Sequence, residues 1–215
     1  MVQKISIIVP FCIVDSETEE MTSRCLESFK ETKAPEDEII LVDDASIYKH
    51  KFSPNVRNET RQGNAKVWNQ GLALAKNDFI LFSDNDIEAV KWREPMLEKV
   101  EIGRTGVIFS QLIVGDKIKK NHVDGCFFMV KRKVFDEIGN FDESYGTYFE
   151  DTDFFKRVMN AGYILRMATD AIAIHKSKGT INKIWSAEKQ KENFEKNKKK
   201  YEFLYGANYP YISWL

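Results

Sequence analysis

Cysteine is scarce in this chain, with three in 215 residues. Cys12, Cys25 and Cys126 form no CxxC pair, and their odd number argues against a disulfide framework. The expectation is reduced thiols in a cytosolic setting. Excess charge is also missing. Thirty-two Lys and Arg against 33 Asp and Glu leave a formal net charge of -1, so no global basic field exists to gather nucleic acid. Basic residues crowd the C-terminal part, as in "EKNKKK" (195–200), but acids are interleaved nearby and the stretch reads as a solvated helix face rather than a phosphate or lipid patch. No run approaches the roughly 20 apolar residues of a membrane span. The opening "MVQKISIIVPF" holds an apolar run too short for a signal core, with no cleavage pattern after it. A cytoplasmic protein is expected, with peripheral membrane contact left open. Neither a G-x-G-x-x-G turn nor a Walker A loop is present, and there is no Pro/Gly/Ser linker or internal repeat.

What is present is enough apolar content, 43%, for one sizeable core. "KISIIVPF" (4–11), "EIILVDDAS" (38–46) and "DFILFSDND" (78–86) read as buried strands. Helical spacing separates them, at 19–31 through Met21, Cys25, Leu26 and Phe29, and at 64–76 through Trp68, Leu72 and Ala75. This alternation predicts βαβ units and a mostly parallel sheet flanked by helices. Further strands are expected at 106–114, 163–167 and 171–175, an exposed turn at 115–121, and a strand running into a helix over 125–139. Helices are expected over 149–163, with Phe154, Phe155, Val158 and Met159 inward, and over about 181–204. The closing "NYPYISWL" (208–215) is expected to pack on the domain, cover a groove or lead into further domains of a longer protein.

In parallel sheets, ligands gather at the carboxyl ends of the strands. All three strand ends carry unusual residues: Pro10, the Asp43–Asp44 pair, and Asp84-Asn85-Asp86. Acids two apart suit a hard divalent cation such as Mg²⁺ or Mn²⁺. The alternative is that Asp86 caps a helix around 91–102 while Asp84 turns the chain. An EF-hand loop does not fit, because the required Gly and Glu are absent. Asp43 and Asp44 suit a ribose or base edge, or a simple turn. In "FDESYGTYFEDTDF" (141–154), Asp142 reads as a turn or helix-start acid, whereas Glu150 or Asp151 at a helix start could serve as general base. His175 ends a strand, where an imidazole is either structural or a metal ligand. His50 and His122 receive no role.

"ISIIVPF", "ILVDDAS", "ILFSDNDI", "GCFFMVKRKVFDEIGNFDESY", "YFEDTDFFKRVMNAGY" and "AIH" occur in the order seen in family 2-like glycosyltransferases of the GT-A fold, and the chain resembles that family from about residue 4 to 205. The tail "NKKKYEFLYG" (197–206) is similar to the family's Asn-rich, aromatic close. The resemblance implies a single α/β GT-A domain over 1–215, with a nucleotide-sugar half (about 1–104), an acceptor half (about 105–180) bearing a small sheet, and a C-terminal helix and tail (about 181–215). It implies inverting transfer from a nucleoside-diphosphate sugar, UDP favoured by family frequency, with Mn²⁺ or Mg²⁺. The acceptor would be a glycan, a lipid-linked sugar or a protein side chain. By position, Asp84-Asn85-Asp86 resembles the DXD motif, with Asp86 the direct metal ligand and His175 completing the metal site. Asp43, with Asp44, would hold the uracil or ribose beside Pro10 and Phe11. Asp151 resembles the catalytic base, and Glu150 would position acceptor or base. Arg61, Lys66 and Asn69 fall where the family contacts diphosphate or sugar. The chain departs from the family after "IIVPF", where "CIVDSETEE" replaces the common Tyr/Asn pair. A sugar-1-phosphate nucleotidyltransferase is the enzymatic alternative, though no Gly-rich, Arg-containing loop follows the first strand. A non-catalytic carbohydrate-binding module is the other, though the acids are retained.

Overall fold

A computed structural model describes residues 3–115, 117–119, 125–176 and 179–210. The elements run β1 (Ile5–Phe11), α1 (Ser16–Thr32), β2 (Glu38–Asp44), β3 (Val56–Asn58), α2 (Asn64–Leu74), β4 (Phe79–Ser83), β5 (Ile87–Lys91) and α3 (Arg93–Val100). Then follow β6 (Thr105–Val114), β7 (Lys117–Lys119), β8 (Phe127–Lys131), α4 (Arg132–Ile138), α5 (Glu150–Asn160), β9 (Ile164–His175), α6 (Ile181–Ile184) and α7 (Ala187–Tyr205).

The strands form one sheet in the order β3-β2-β1-β4-β8-β6-β9-β5, with β7 beside β6. The first half is parallel, as its crossover helices require: β1 pairs with β2 and β4, and β2 with β3. The second half departs from the mostly parallel expectation. β8 runs antiparallel to both β4 and β6, β5 antiparallel to β9, and only β6 and β9 are parallel. These strands extend the central sheet instead of building a separate acceptor sheet.

Alternation of side chains across the pleat fills two cores. On one face Phe82 and Phe128 stack at 5.0 Å and meet Trp68 of α2, Phe135 of α4 and Phe155 of α5. On the other face Leu81 and Phe127 pack with Phe29 of α1 and Trp92 before α3. Helix α2 lies so close to β1 that a Cβ on Gly71 would come within 3.2 Å of Ile8 Cγ1 and nearer still to Cγ2. Helix α1 starts at a capping box, Asp15 accepting from Thr18 N at 2.8 Å while Thr18 Oγ1 accepts from Asp15 N at 3.1 Å.

Four local expectations change. The exposed turn expected at 115–121 holds a short strand, β7, antiparallel to β6, and residues 116, 120 and 121 lie outside the described residues. The two short strands at 163–167 and 171–175 are one strand, β9, whose pairing with β6 jumps from Ser110↔Ala168 to Gln111↔Ile172. Exposed Thr169 and Asp170 and buried Ala171 form that bulge, and the polarity of the first two reads as a break in the sequence. The long C-terminal helix is divided at Trp185–Ser186, where the Ser186 side chain caps α7. Met159 is 39% exposed, so of the four apolar residues expected inward α5 buries Phe154, Phe155 and Val158. Residues 211–215, with most of the aromatic close, and His122 lie outside the described residues. Among the described residues no helix is long and apolar enough to cross a membrane.

Candidate active site

Strand β4 ends at Ser83, and the chain turns through Asp84-Asn85-Asp86 into β5. Asp84 N donates to Cys126 O at 2.8 Å, which ties the turn to the start of β8. Asn85 points its amide at α1, donating to Thr22 Oγ1 at 2.8 Å. Register brings the last residue of β9 alongside, because Ile87 pairs with His175. One ligand atom each from Asp84, Asp86 and His175 then lie within 4.8 Å of one another. Asp86 Oδ1 is 3.3 Å from His175 Nε2, is buried, and makes no hydrogen bond. On the other side of the ring, Cys126 Sγ is 3.6 Å from Nδ1. The helix-cap reading of Asp86 is excluded, since β5 intervenes and the N-cap of α3 is Trp92. Two carboxylates and one imidazole, with a buried oxygen lacking a donor, fit a Mn²⁺- or Mg²⁺-sized ion.

A second group of acids stands at the end of β2, where Ala45 adopts a left-handed φ of 62°. Asp44 accepts from Gln62 N at 2.7 Å and Gly63 N at 3.3 Å, and lies 3.6 Å from an Arg61 nitrogen. Arg61 keeps Nε and Nη1 buried without hydrogen bonds. Asp43 is also fully buried but points elsewhere. It accepts from Ser46 N at 2.8 Å and meets His50 Nε2 at 3.2 Å.

The third group opens α5. Tyr148 and Phe149, both non-glycine, take left-handed φ values of 73° and 71°. Such residues store strain of roughly 1–3 kcal/mol each and concentrate at functional sites. Glu150 follows, 3% exposed, with Oε2 making no hydrogen bond. Burial, then the charge of Asp151, pushes its carboxyl up to about 8, against hydrogen bonds from its own backbone and Asn64. Burial thus outweighs the helix N-terminus, which favours the anion. Asp151 Oδ1 accepts from Thr152 N at 2.6 Å. Its other side abuts the backbone of Gly125, where a Cβ would lie 2.8 Å from Asp151 Cβ and Cγ and closer still to Oδ2.

All three groups line one cavity of about 930 Å³. Pro10, Phe11, Cys12, Asp44 and Arg61 form one part of the wall, and Asp84, Asn85, Asp86, His175, Glu150 and Asp151 another. Its size fits the range of small-molecule sites.

The model of glycosyl transferase family 2 matches residues 6–157. The chain belongs to that family. No curated protein matches it. Among solved structures, it is similar to the mannosyltransferase PcManGT from Pyrobaculum calidifontis, described in complex with GDP-Man and Mn2+, with a TM-score of 0.62 and 15% identity. The match covers 81% of this chain and 58% of that one, so the chain spans less than two thirds of the neighbour's length. The likeness is one of fold, GT-A.

Within this family 2 domain, Pro10, Phe11, Asp44, Arg61, Asp84, Asn85, Asp86, Glu150, Asp151 and His175 all reach the cavity wall. Asp43, Lys66 and Asn69 do not stand among its lining residues. Asp43 is held by the 46–57 segment, including His50, which also meets Phe11 edge-on at 5.3 Å. Lys66 pairs with Glu143 at 2.9 Å. Asn69 donates to Phe141 O at 3.0 Å and accepts from Phe141 N at 3.1 Å, so both side chains fasten α2 to the segment before α5. Asp142 is a turn acid, accepting from Ser144 N at 2.9 Å. Sequence reasoning passed over Gly125, Cys126 and Cys12. A glycine next to an apolar strand was the one visible signal among them.

Proposed function

We propose that this family 2 member transfers a sugar from a nucleoside-diphosphate sugar to a hydroxyl acceptor, a glycan first among the classes, by a single inverting displacement that depends on Mn²⁺ or Mg²⁺. The observation that carries this reading is the meeting of two acid groups in one cavity: Asp84, Asp86 and His175 within 4.8 Å of one another, and Glu150–Asp151 on the same lining.

Asp84, Asp86 and His175 would hold the cation, which supplies positive charge against the developing diphosphate and orients it. Arg61, with two buried N–H groups free to donate, and Asp44 serve the nucleotide beside Pro10 and Phe11. Asp151 takes the proton of the acceptor hydroxyl as its oxygen attacks the anomeric carbon, an effect typically worth about 10²–10⁴-fold. The bond from that carbon to the phosphate oxygen breaks, and the nucleoside diphosphate leaves with the electron pair. Glu150, uncharged below about pH 8, donates a hydrogen bond to the bound sugar or acceptor.

The donor base is open between UDP, favoured by family frequency, and GDP, the nucleotide named with the solved neighbour. Thermal unfolding against UDP, GDP, dTDP and CDP, each with and without Mn²⁺, decides. A nucleotide at 100 times its dissociation constant adds about 2.7 kcal/mol. Stabilisation by one nucleotide, only with the metal, is the expected result. No shift with any of them in folded protein overturns the reading in favour of a non-catalytic domain. Pyrophosphate release from a nucleoside triphosphate and a sugar phosphate would make it a nucleotidyltransferase.

A further inference from the structure

Asn197 lies in the stretch of α7 whose charges read as a solvated face, yet it is 1% exposed. Its amide nitrogen sits 2.7 Å from Tyr145 O, 2.9 Å from Thr147 O and 2.8 Å from Tyr148 O. Carbonyl oxygens only accept, so the NH2 end of the Asn197 amide faces them, its two hydrogens shared among three oxygens. The carbonyls belong to a segment of irregular backbone, with positive φ at Gly146, Tyr148 and Phe149, which runs directly into Glu150 and Asp151. Strain of this kind persists only where the surroundings over-determine it.

The rest of α7 grips the same segment. Lys200 Nζ meets Asp142 at 2.7 Å and lies 3.7 Å from the centre of the Tyr145 ring. The Phe149 ring packs on Phe194 at 5.2 Å and Tyr201 at 5.7 Å. Tyr205 donates to Asp153, in the first turn of α5, at 2.9 Å.

We propose that Asn197 is a positioning residue: through α7 it clamps the 145–149 segment in the shape that presents Glu150 and Asp151 to the cavity. It touches neither substrate nor those carboxylates itself. The kinetic part of the test rests on the transfer reaction proposed above; the exchange part does not.

Asn197→Asp keeps the shape but sets a carboxylate against three carbonyl oxygens. Asn197→Ser keeps one donor and serves where the Asp variant fails to fold. Phe203→Ser, at a site 89% exposed on the same helix, is the control. In the full chain, Asn197→Asp raises amide hydrogen exchange across 145–153 at least tenfold, while stabilisation by nucleotide with Mn²⁺ stays as in the wild type. With a nucleotide-sugar carrying the nucleotide found in that screen as donor, kcat falls about 100-fold, the scale of a misplaced catalytic group, and the donor KM is unchanged. Asn197→Ser falls between the two, and the control matches the wild type. Unchanged exchange, kcat within twofold of wild type, or equal losses in nucleotide binding and kcat each overturn the proposal. A wild type without turnover refutes the transfer reaction, and the exchange result alone then decides the clamp.

Discussion

Glu150→Gln is the substitution whose outcome follows most directly from the buried chemistry of the site. A free glutamate titrates near 4.5, whereas burial first, and Asp151 second, push the Glu150 carboxyl up to about 8. The folded state therefore holds a proton that the unfolded chain releases between those values. A carboxyl raised in this way contributes stability that is full below about pH 4.5 and is lost as pH rises through about 8. The slope for one proton is about 1.4 kcal/mol per pH unit, so by pH 7 the wild type has given up on the order of 3 kcal/mol. Gln is close in shape and uncharged in both states, so the variant has no such slope from this site. At pH 5 the two proteins differ little. At pH 7 the variant is more stable, and at about 2–4 °C per kcal/mol for a chain of this size its melting temperature rises by roughly 6–12 °C. Thermal or urea unfolding at pH 5, 6, 7 and 8 reads this directly. Equal destabilisation at all four values would refute the reasoning and mean that Glu150 is ionised in the fold. Because a neutral Gln still donates, transfer by this variant falls less than tenfold.

Other outcomes follow from the same geometry. Asp86→Ala removes the buried oxygen of the metal trio, and Mn²⁺-dependent stabilisation by nucleotide disappears in calorimetry while the fold, read by circular dichroism, remains. Asp151→Asn lowers transfer by about 10²–10⁴-fold with nucleotide binding intact, as loss of the proposed general base requires. Gly125→Ala drives a methyl into Asp151, so kcat drops about 100-fold at unchanged nucleotide affinity. Phe128→Ala empties the centre of an aromatic core in which Phe128 meets Phe82, Trp68 and Phe155 at 5.0, 5.7 and 5.1 Å, and costs about 3–5 kcal/mol in urea unfolding.

In the parallel half, β1, β2 and β4 were readable because they are apolar runs, two of them stopping on acids, and helical spacing marks α1 and α2 between them; β3, three residues long, was not. Asp84, Asp86, Asp151 and His175 stand out for the same reason: each charged or ligating group interrupts an apolar pattern at an element's end. β5 was not readable. "IEAVK" is five residues with two charges, and only its pairing with β9 makes it a strand. Nor does sequence decide which of two adjacent carboxylates faces the cavity. Successive strand residues point to opposite faces, and here that choice sends Asp44 to the cavity and Asp43 to His50. The role of Asn197 was hidden by composition, although the stretch it opens resembles the family's Asn-rich, aromatic close. Amid lysines and glutamates an asparagine looks solvated, and only tertiary packing shows it facing three carbonyls.

Backbone strain marks the same places as the acids. Among the described residues, three non-glycine positions have positive φ: Ala45, Tyr148 and Phe149. Ala45 directly follows Asp43–Asp44, and the other two directly precede Glu150–Asp151. A left-handed residue reverses the chain within one step, so an acid beside it is displayed at a corner rather than along a face. At roughly 1–3 kcal/mol each, the three together cost a sizeable part of the 5–15 kcal/mol by which a domain is usually stable. The compensation is visible at both ends. Asp44 is anchored by two backbone amides, and the 145–149 segment by Asn197 and the aromatic cluster of Tyr145, Phe149 and Tyr201. A chain that needed these corners only to connect its elements would place glycine there, as it does after α4 and α5 at Gly139 and Gly162, whose φ values are 81° and 79°. Side chains kept at strained corners, each beside an acid, fit a site shaped for a bound ligand better than they fit a plain loop.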